Sequence, residues 1–464
     1  MQPLYDQASP QSIEDFGKRL LNKTLRTVAG QSLISEDDLK RRVGARERAS
    51  FGNLVERYFY GITPNNVSGE PDFPKAAVEL KTTPIKKKTD GNYAAKERLV
   101  LGLINYVQEA KTDFATSSFY KKNKRMMLIS YLHDKGVEVG DLLIKIAKLV
   151  EYDKLPIEDQ KIIREDWEKI HVKIREGRAH ELSEGDTLYL GACTKAVDST
   201  IFREQVGAIP AKPRAYSFKS GYVTELVRRE LGEMPKEEEK AVKDAEISAP
   251  LSFEDIVMHK FDLFIGRTIR EIHSIVGDGL NRDSKDYYAA LARRMLGVQG
   301  ARVVEFDAAE VSMKTVQLKA SGMPKEHMSF PAFKYNEVVK EQWDADEEAD
   351  ATKASFQKQI ERRFFIVVYQ CDGDCSQDDE KKLKKVMFWS MPFEDREEAR
   401  YLWAETVKRI KEGHADDLPG ASDNRVAHVR PHARDSADTE IVDGIPLVKK
   451  SFWLNNSYIK NIVG

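Results

Sequence analysis

The feature that most restricts how this chain can fold is that its order of local patterns runs through twice. FGNLVERYFYGI sets Phe51, Leu54, Val55, Tyr58, Phe59 and Ile62 at helical spacing, which predicts a helix with one broad apolar face. FDLFIGRTIREI repeats the spacing with Phe261, Phe264, Ile265, Ile269 and Ile272. Downstream, AAVELKTTPI in the first half corresponds to AEVSMKTVQL in the second. Val78, Lys81 and Thr82 then fall on Val311, Lys314 and Thr315 at one constant offset. Next in each half a basic pair enters an apolar run, KRMMLISYL (124–132) and RRFFIVVYQ (362–370), which predicts two buried strands. The halves also close alike: PRAYSFKSGYVTELV matches KKSFWLNNSYIKNIV, with Arg214 over Lys450, Tyr216 over Phe452 and Tyr222 over Tyr458. One such match is noise, whereas four in the same order describe an internal duplication.

A length of 464 residues exceeds what one ordinary core supports, in keeping with two domains. The charged, apolar-poor stretch ELGEMPKEEEKAVKDAEISAP lies near the midpoint and reads as a solvated linker. The expected division is 1–232, a linker at 233–250, and 251–464. A second charged stretch, EEADATKASFQKQIERR (347–363), reads as an insertion or exposed helix. Lys plus Arg (74) nearly balances Asp plus Glu (76), so there is no global basic field, although a two-domain enzyme needs only a basic cleft to hold nucleic acid. Three cysteines, Cys193, Cys371 and Cys375, suit neither a disulfide framework nor a zinc site and fit a reducing, cytoplasmic setting. The N-terminus lacks an apolar signal region, and no run is long and apolar enough to span a bilayer.

Chemistry is carried by PDFPKAAVELKTTPI, in which Asp72, Glu79 and Lys81 form D-x6-E-x-K. Glu79 and Lys81 are two apart in a predicted strand, so they leave one face while Val78 and Leu80 turn to the core. Asp72 precedes the strand by a turn containing Pro71 and Pro74, which lets it fold back beside Glu79. Two convergent carboxylates suit a hard divalent cation such as Mg²⁺, and a neighbouring lysine orients water or offsets charge on an attacked phosphate. By themselves the three residues also fit a solvated strand face with a Glu–Lys pair. The flanking apolar positions, the amphipathic helix before them and the basic run Lys86-Lys87-Lys88 after them favour a site. Glu56 borders the apolar stripe of that helix and adds a fourth acid to the candidates.

With those motifs in place, the chain resembles the MutH family and its restriction-enzyme branch, the Sau-three-A-one type of GATC cutter. The family pattern is a helix acid, then D-x6-E-x-K, then a lysine on a later strand, then a C-terminal segment that reads bases. Glu56, Asp72, Glu79 and Lys81 stand at matching places, and Lys121, Lys122 or Lys124 fills the later one. The resemblance implies an α/β fold of the PD-(D/E)xK type, a mixed sheet flanked by helices, here duplicated. It implies Mg²⁺-dependent cleavage of both strands of DNA at GATC, with Asp72 and Glu79 as metal ligands. In the second copy position 79 falls on Ser312, position 56 on Arg270 and position 72 on Glu305, and only Lys314 survives. Losing those acids removes the charge that holds Mg²⁺, so the second half is expected to bind DNA without cutting it.

The candidate base-reading residues are Arg178, His180, Arg214, Tyr216 and Lys219 in the first half. In the second they are Arg430, His432, Lys450, Trp453 and Asn455. Arg and Lys suit guanine O6 and N7, Asn suits adenine, and aromatics pack on thymine methyls or phosphates. The expected partner is double-stranded DNA, two GATC sites at once, bound by a chain that is a monomer in solution or a dimer on DNA. The second half then acts as an effector. Rival readings are a strand-nicking repair endonuclease and a DNA-binding protein that does not cut. No phosphate-binding glycine loop is present, so no ATP dependence is expected. The loop Cys371-Asp-Gly-Asp-Cys375 reads as a tight turn rather than a metal loop, and His171 as a surface residue.

Overall fold

The computed structural model describes residues 4–28, 51–62, 69–195, 200–233, 236–243, 246, 251–277, 279–346, 352–373, 378–433, 435, 437–442 and 444–464. The first half holds strands β1 (Glu79–Lys87), β2 (Tyr93–Ala95), β3 (Leu99–Leu103), β4 (Arg125–Leu132), β5 (Ile144–Glu151), β6 (Leu190–Thr194) and β7 (Arg214–Phe218). They form a mixed sheet of order β2-β1-β4-β5 and a smaller sheet of order β3-β7-β6. Strands β1 and β4 run parallel with Lys81 opposite Leu128, and β4 pairs antiparallel with β5. Parallel central strands are covered on both faces, which is why β4 reads as an unbroken apolar run rather than an alternation.

The second half holds β8 (Ser312–Leu318), β9 (Met328–Ser329), β10 (Glu341–Gln342), β11 (Thr352–Lys353), β12 (Phe364–Gln370) and β13 (Lys382–Trp389). It continues with β14 (Ala427–Pro431), β15 (Thr439–Val442), β16 (Ile445–Val448) and β17 (Lys450–Leu454). Strands β8 and β12 are parallel with Lys314 opposite Ile366, and β12 and β13 antiparallel, as β1, β4 and β5 are. A smaller sheet of order β14-β17-β9 answers β3-β7-β6. The correspondence reaches single residues. The helices Ile157–Arg175 and Phe393–Lys411 are each 19 residues long, start after Pro156 and Pro392, and carry an acid pair in the first turn. Ala77 and Glu310, one residue before Val78 and Val311, both take the left-handed conformation (φ 51° and 56°). The duplication expected from the pattern is therefore present in the topology.

Four expectations need correction. The second amphipathic helix is broken: Gly266 sits at φ 82°, and Thr268 caps a new helix, Ile269–Val276, by accepting from the Glu271 N–H. The first copy is continuous but π-helical over Leu54–Phe59. The charged midpoint stretch is not solvated throughout. Ala241 and Val242 are buried and donate their N–H groups to the Glu305 carboxylate. The 347–363 stretch is likewise no exposed helix where it is described, since Lys353, Phe356, Gln357, Ile360 and Glu361 are buried and Lys353 pairs with Glu361 at 2.7 Å. Cys371 is disulfide-bonded, Cys193 is a buried free thiol, and Cys375 lies outside the described residues.

The apolar side chains form three cores. One, with Phe16, Leu54, Val78, Leu80 and Ile129, lies in the first half beneath β1. Another, with Phe330, Phe356, Ile366, Leu402 and Phe452, belongs to the second half. The third is shared: Trp167, Tyr189, Phe218 and Leu226 from the first half join Phe253, Phe261, Phe306 and Phe365 from the second. Two glycines permit the approach. A Cβ on Gly221 would stand 2.2 Å from the Asp307 carbonyl oxygen, and one on Gly185 2.8 Å from that of Arg362. Among the described residues no helix is long and apolar enough to cross a membrane.

Candidate active site

Strand β1 sorts its side chains by period two. Val78 and Leu80 pack into the first-half core, and the other face carries Glu79 and Lys81 with Lys81 Nζ 2.9 Å from Glu79 Oε1. The turn before the strand closes through a bridge between Phe73 and Val78 and folds Asp72 back. The Asp72 N–H donates to Glu79 Oε2 at 3.2 Å, and Asp72 Oδ2 accepts from the Leu80 N–H at 2.9 Å. A second ammonium arrives from the helix Ser118–Asn123, which Ser117 caps by accepting from the Tyr120 N–H. That helix brings Lys122 Nζ to 3.3 Å from Glu79 Oε1, while Lys121 is exposed and Lys124 lies just past the helix end.

The electrostatics are those of a site short of positive charge on one side. Burial pushes the Asp72 carboxyl up to about 6, and the neighbouring Glu79 charge adds to the shift. Glu56, on the π-helical turn, is also raised, by burial first, and lies within the fields of Glu79, Lys81 and Lys122. Single π-helical turns often mark functional positions. Among the described residues no group of three or more His, Cys, Asp or Glu side chains is arranged to hold a metal. The available donor set is thus the Asp72–Glu79 pair, with Glu56 behind it. Carboxylate oxygen suits Mg²⁺, and a divalent cation would offset the burial, and the lesser Glu79 repulsion, that push the Asp72 carboxyl up to about 6.

The equivalent place in the second half has no such pair. Ser312 stands where Glu79 does, Arg270 is exposed, and Glu305 lies in the helix Val304–Ala309 with its carboxylate on Ala241 and Val242. Lys314 remains. Burial lowers its pKa, Arg362 adds to the effect, and its ammonium lies 5.6 Å from the Phe330 ring centroid.

The base-reading candidates divide sharply by half. In the first, Tyr216 is 1% exposed and donates to Glu109 Oε1 at 3.0 Å. Arg214 is buried and donates to the Ala192 and Leu182 carbonyls at 2.6 and 2.5 Å, and Lys219 to those of Thr187 and Ala309 at 2.6 and 3.3 Å. These three are internal supports rather than surface readers, because β6 and β7 are buried on both faces. Arg178 is engaged by Glu176 and Glu181, and His180 bonds Gln205 while its ring meets the edge of Phe393 from the second half. His171 is also buried, stacked on Trp167 at 4.4 Å.

In the second half β14 and β17 alternate. Ala427, Val429, Phe452 and Leu454 face the core, and the opposite face carries His428, Arg430 and Trp453. The Arg430 guanidinium lies 4.8 Å from the Trp453 ring centroid, and the His432 ring 5.1 Å from it. His327 joins this face through a ring contact with His428 at 4.6 Å. The alternation His428, Arg430, His432 is a period-two signal that would have found His428, whereas His327 arrives from a distant strand with no local signal. Lys450 and Asn455 are instead spent internally. Lys450 donates to the Ala415 and Asp416 carbonyls, and Asn455 is buried between His428 and Asn424.

The family described as "DNA mismatch repair enzyme MutH" matches residues 60–166, which include Asp72, Glu79, Lys81 and Lys122. The "Type II restriction enzyme Sau3AI" of Staphylococcus aureus is 34% identical over 501 aligned residues, covering 98% of both chains. The "DNA mismatch repair protein MutH" of Shewanella sp. strain ANA-3 is 25% identical over 211 residues, 44% of this chain and 87% of that protein. The MutH protein of Shewanella sp. strain MR-4 matches to the same extent.

Proposed function

The chain belongs to the family of type II restriction enzymes that includes Sau3AI and is a site-specific deoxyribonuclease, and from that premise we propose that it makes Mg²⁺-dependent double-strand breaks at GATC, with its chemistry in the first half alone. The observation that carries this reading is the cluster of Asp72, Glu79, Lys81 and Lys122, matched in the second half only by Lys314. Asp72 and Glu79 would hold Mg²⁺, which when bound polarises the scissile phosphate and makes water a better nucleophile. Lys81 orients the attacking water. Lys122 adds a second positive charge on the Glu79 side, where negative charge grows on the phosphate in the transition state. Glu56 supports the metal shell through its charge rather than by direct ligation. The proposed division is 1–232, 233–250 and 251–464, with Ala241 and Val242 of the central segment held by Glu305.

The second half, in this reading, binds another GATC site through the Arg430–His432–Trp453 face and acts as an effector, on a chain that is a monomer in solution or a dimer on DNA. An exposed guanidinium on an aromatic ring suits a guanine edge or a phosphate. Digestion of a fully sequenced plasmid in Mg²⁺, followed by sequencing of the ends, tests the whole reading. Linear fragments ending only at GATC are expected. Fragments ending elsewhere would retire the target, nicked circles would favour the repair-type activity, and a mobility shift alone would remove the cleavage assignment.

A further inference from the structure

Two stretches of the sequence that the cleavage chemistry leaves unused meet in one cavity. Lys86 and Lys88, from the basic run at the end of β1, line it together with Lys353, Lys358 and Arg362, from the charged segment before β12. The cavity, about 720 Å³, is lined by residues of both halves, among them Ser220 and Gly221 at the start of the helix Ser220–Glu230. That volume suits a ligand of nucleotide size.

The lining holds ten Lys and Arg side chains against six Asp and Glu. Five of these six acids are engaged by partners on the lining itself. Glu184 pairs with Arg98 at 2.5 Å, Glu225 with Arg228 at 3.1 Å, Asp307 with Arg302 at 2.9 Å and Glu361 with Lys353 at 2.7 Å. Glu310 accepts from Ser220 Oγ at 2.6 Å and from the Gly221 N–H at 3.2 Å. Lys86, Lys88 and Arg362, by contrast, are exposed and make no ion pair among the described residues. Lys219 is 3% exposed and its ammonium is held by carbonyl oxygens rather than by a carboxylate. Burial pushes Lys219 below the ordinary lysine value even with Glu310 nearby. The cavity therefore carries a net positive potential that the fold does not neutralise, and such concavities concentrate anions.

We propose that this cavity binds a phosphate-rich anion, with Lys86, Lys88 and Arg362 as its phosphate contacts. The phosphates come from one of two sources, a DNA backbone running between the halves or a free polyphosphate such as a nucleotide tail. The site is separate from the candidate carboxylates. Lys86 and Glu79 stand at opposite ends of β1, and seven extended residues span roughly 23 Å.

The test titrates inorganic tripolyphosphate into the full-length protein by calorimetry, at low salt and without divalent metal. The variant Lys88→Glu with Arg362→Glu removes exposed, unpaired charges, and its melting curve reports that it is folded. Lys411→Glu with Lys460→Glu, exposed positions away from the cavity, controls for general surface charge. Wild type and the control variant are expected to bind alike, and the cavity variant about tenfold or more weakly. Equal affinity in all three proteins, or no binding to wild type, would overturn the proposal. A short duplex without GATC then separates the sources: displacement of tripolyphosphate assigns the cavity to DNA backbone, and simultaneous binding assigns it to a free polyphosphate.

Discussion

Asp72 carries a carboxylate that the metal-free fold does not favour, and that has consequences at two pH-linked levels. Its folded pKa, about 6, lies above the ordinary 3.8, so the folded state binds the proton more tightly than the unfolded chain. The contribution of Asp72 to metal-free stability should therefore grow as pH falls from 7 through about 6 toward 4, read as the difference in pH dependence between wild type and Asp72→Asn. Asp72→Asn keeps an oxygen for the Leu80 N–H and removes the charge. It should raise the metal-free stability at pH 7 by roughly 1–3 kcal/mol, read by denaturant melts. The same substitution should abolish plasmid cleavage while leaving DNA affinity largely intact, and full activity would end the assignment of Asp72. Protons compete with metal for this carboxylate, so Mg²⁺ affinity measured by calorimetry should weaken below pH about 6. A second prediction separates the three lysines. Lys122→Ala should cost about two orders of magnitude or more in rate, with Lys121→Ala and Lys124→Ala near wild type. Asp72, Glu79 and Lys81 were legible in the sequence because a strand of period two and one turn fix where they point. Lys122 was not, because three lysines in four positions straddle a helix end, and only the packing of that helix selects one.

The buried strands β4 and β12 were legible from their apolar runs, and what the runs could not give was which faces of the closing strands stay open. Tyr216 and Trp453 illustrate the difference, since each is an aromatic on the closing strand of its half. β7 is covered on both faces, whereas β17 keeps one face partly exposed. Tyr216 is covered from within its own half, by Phe119 and the Glu109 carboxylate, a tertiary contact that no local pattern announces. The broken second helix has a local origin instead: its apolar spacing was right, but Gly266 and the Thr268 cap overrode it. Tyr216→Phe leaves the Glu109 carboxylate one buried hydrogen bond short. It should lower stability by about 1–2 kcal/mol and leave cleavage positions unchanged. A change in the sequence cut by that variant would restore Tyr216 as a reader.

At the scale of the molecule, the repeat was legible and the way its copies join was not. The midpoint stretch is charged and apolar-poor, yet Ala241 and Val242 within it are buried, and an entire core is shared between the halves. A second half fastened in this way has two roles open to it, as a packing partner or as a DNA-bound effector. The Arg430–His432–Trp453 face favours the effector, because a half kept only for packing has no use for a guanidinium, an imidazole and an indole grouped on a face turned from its core. An effector couples one DNA site to another by about 1–3 kcal/mol, roughly five- to 150-fold in the active population. Plasmids with two GATC sites should then be cut faster than plasmids with one, and an added uncuttable GATC duplex should accelerate the slow substrate. Arg430→Ala with Trp453→Ala should erase both effects at unchanged melting temperature, because these side chains sit on the face turned away from the core. Equal rates on one-site and two-site plasmids in the wild type would leave the second half the packing role alone.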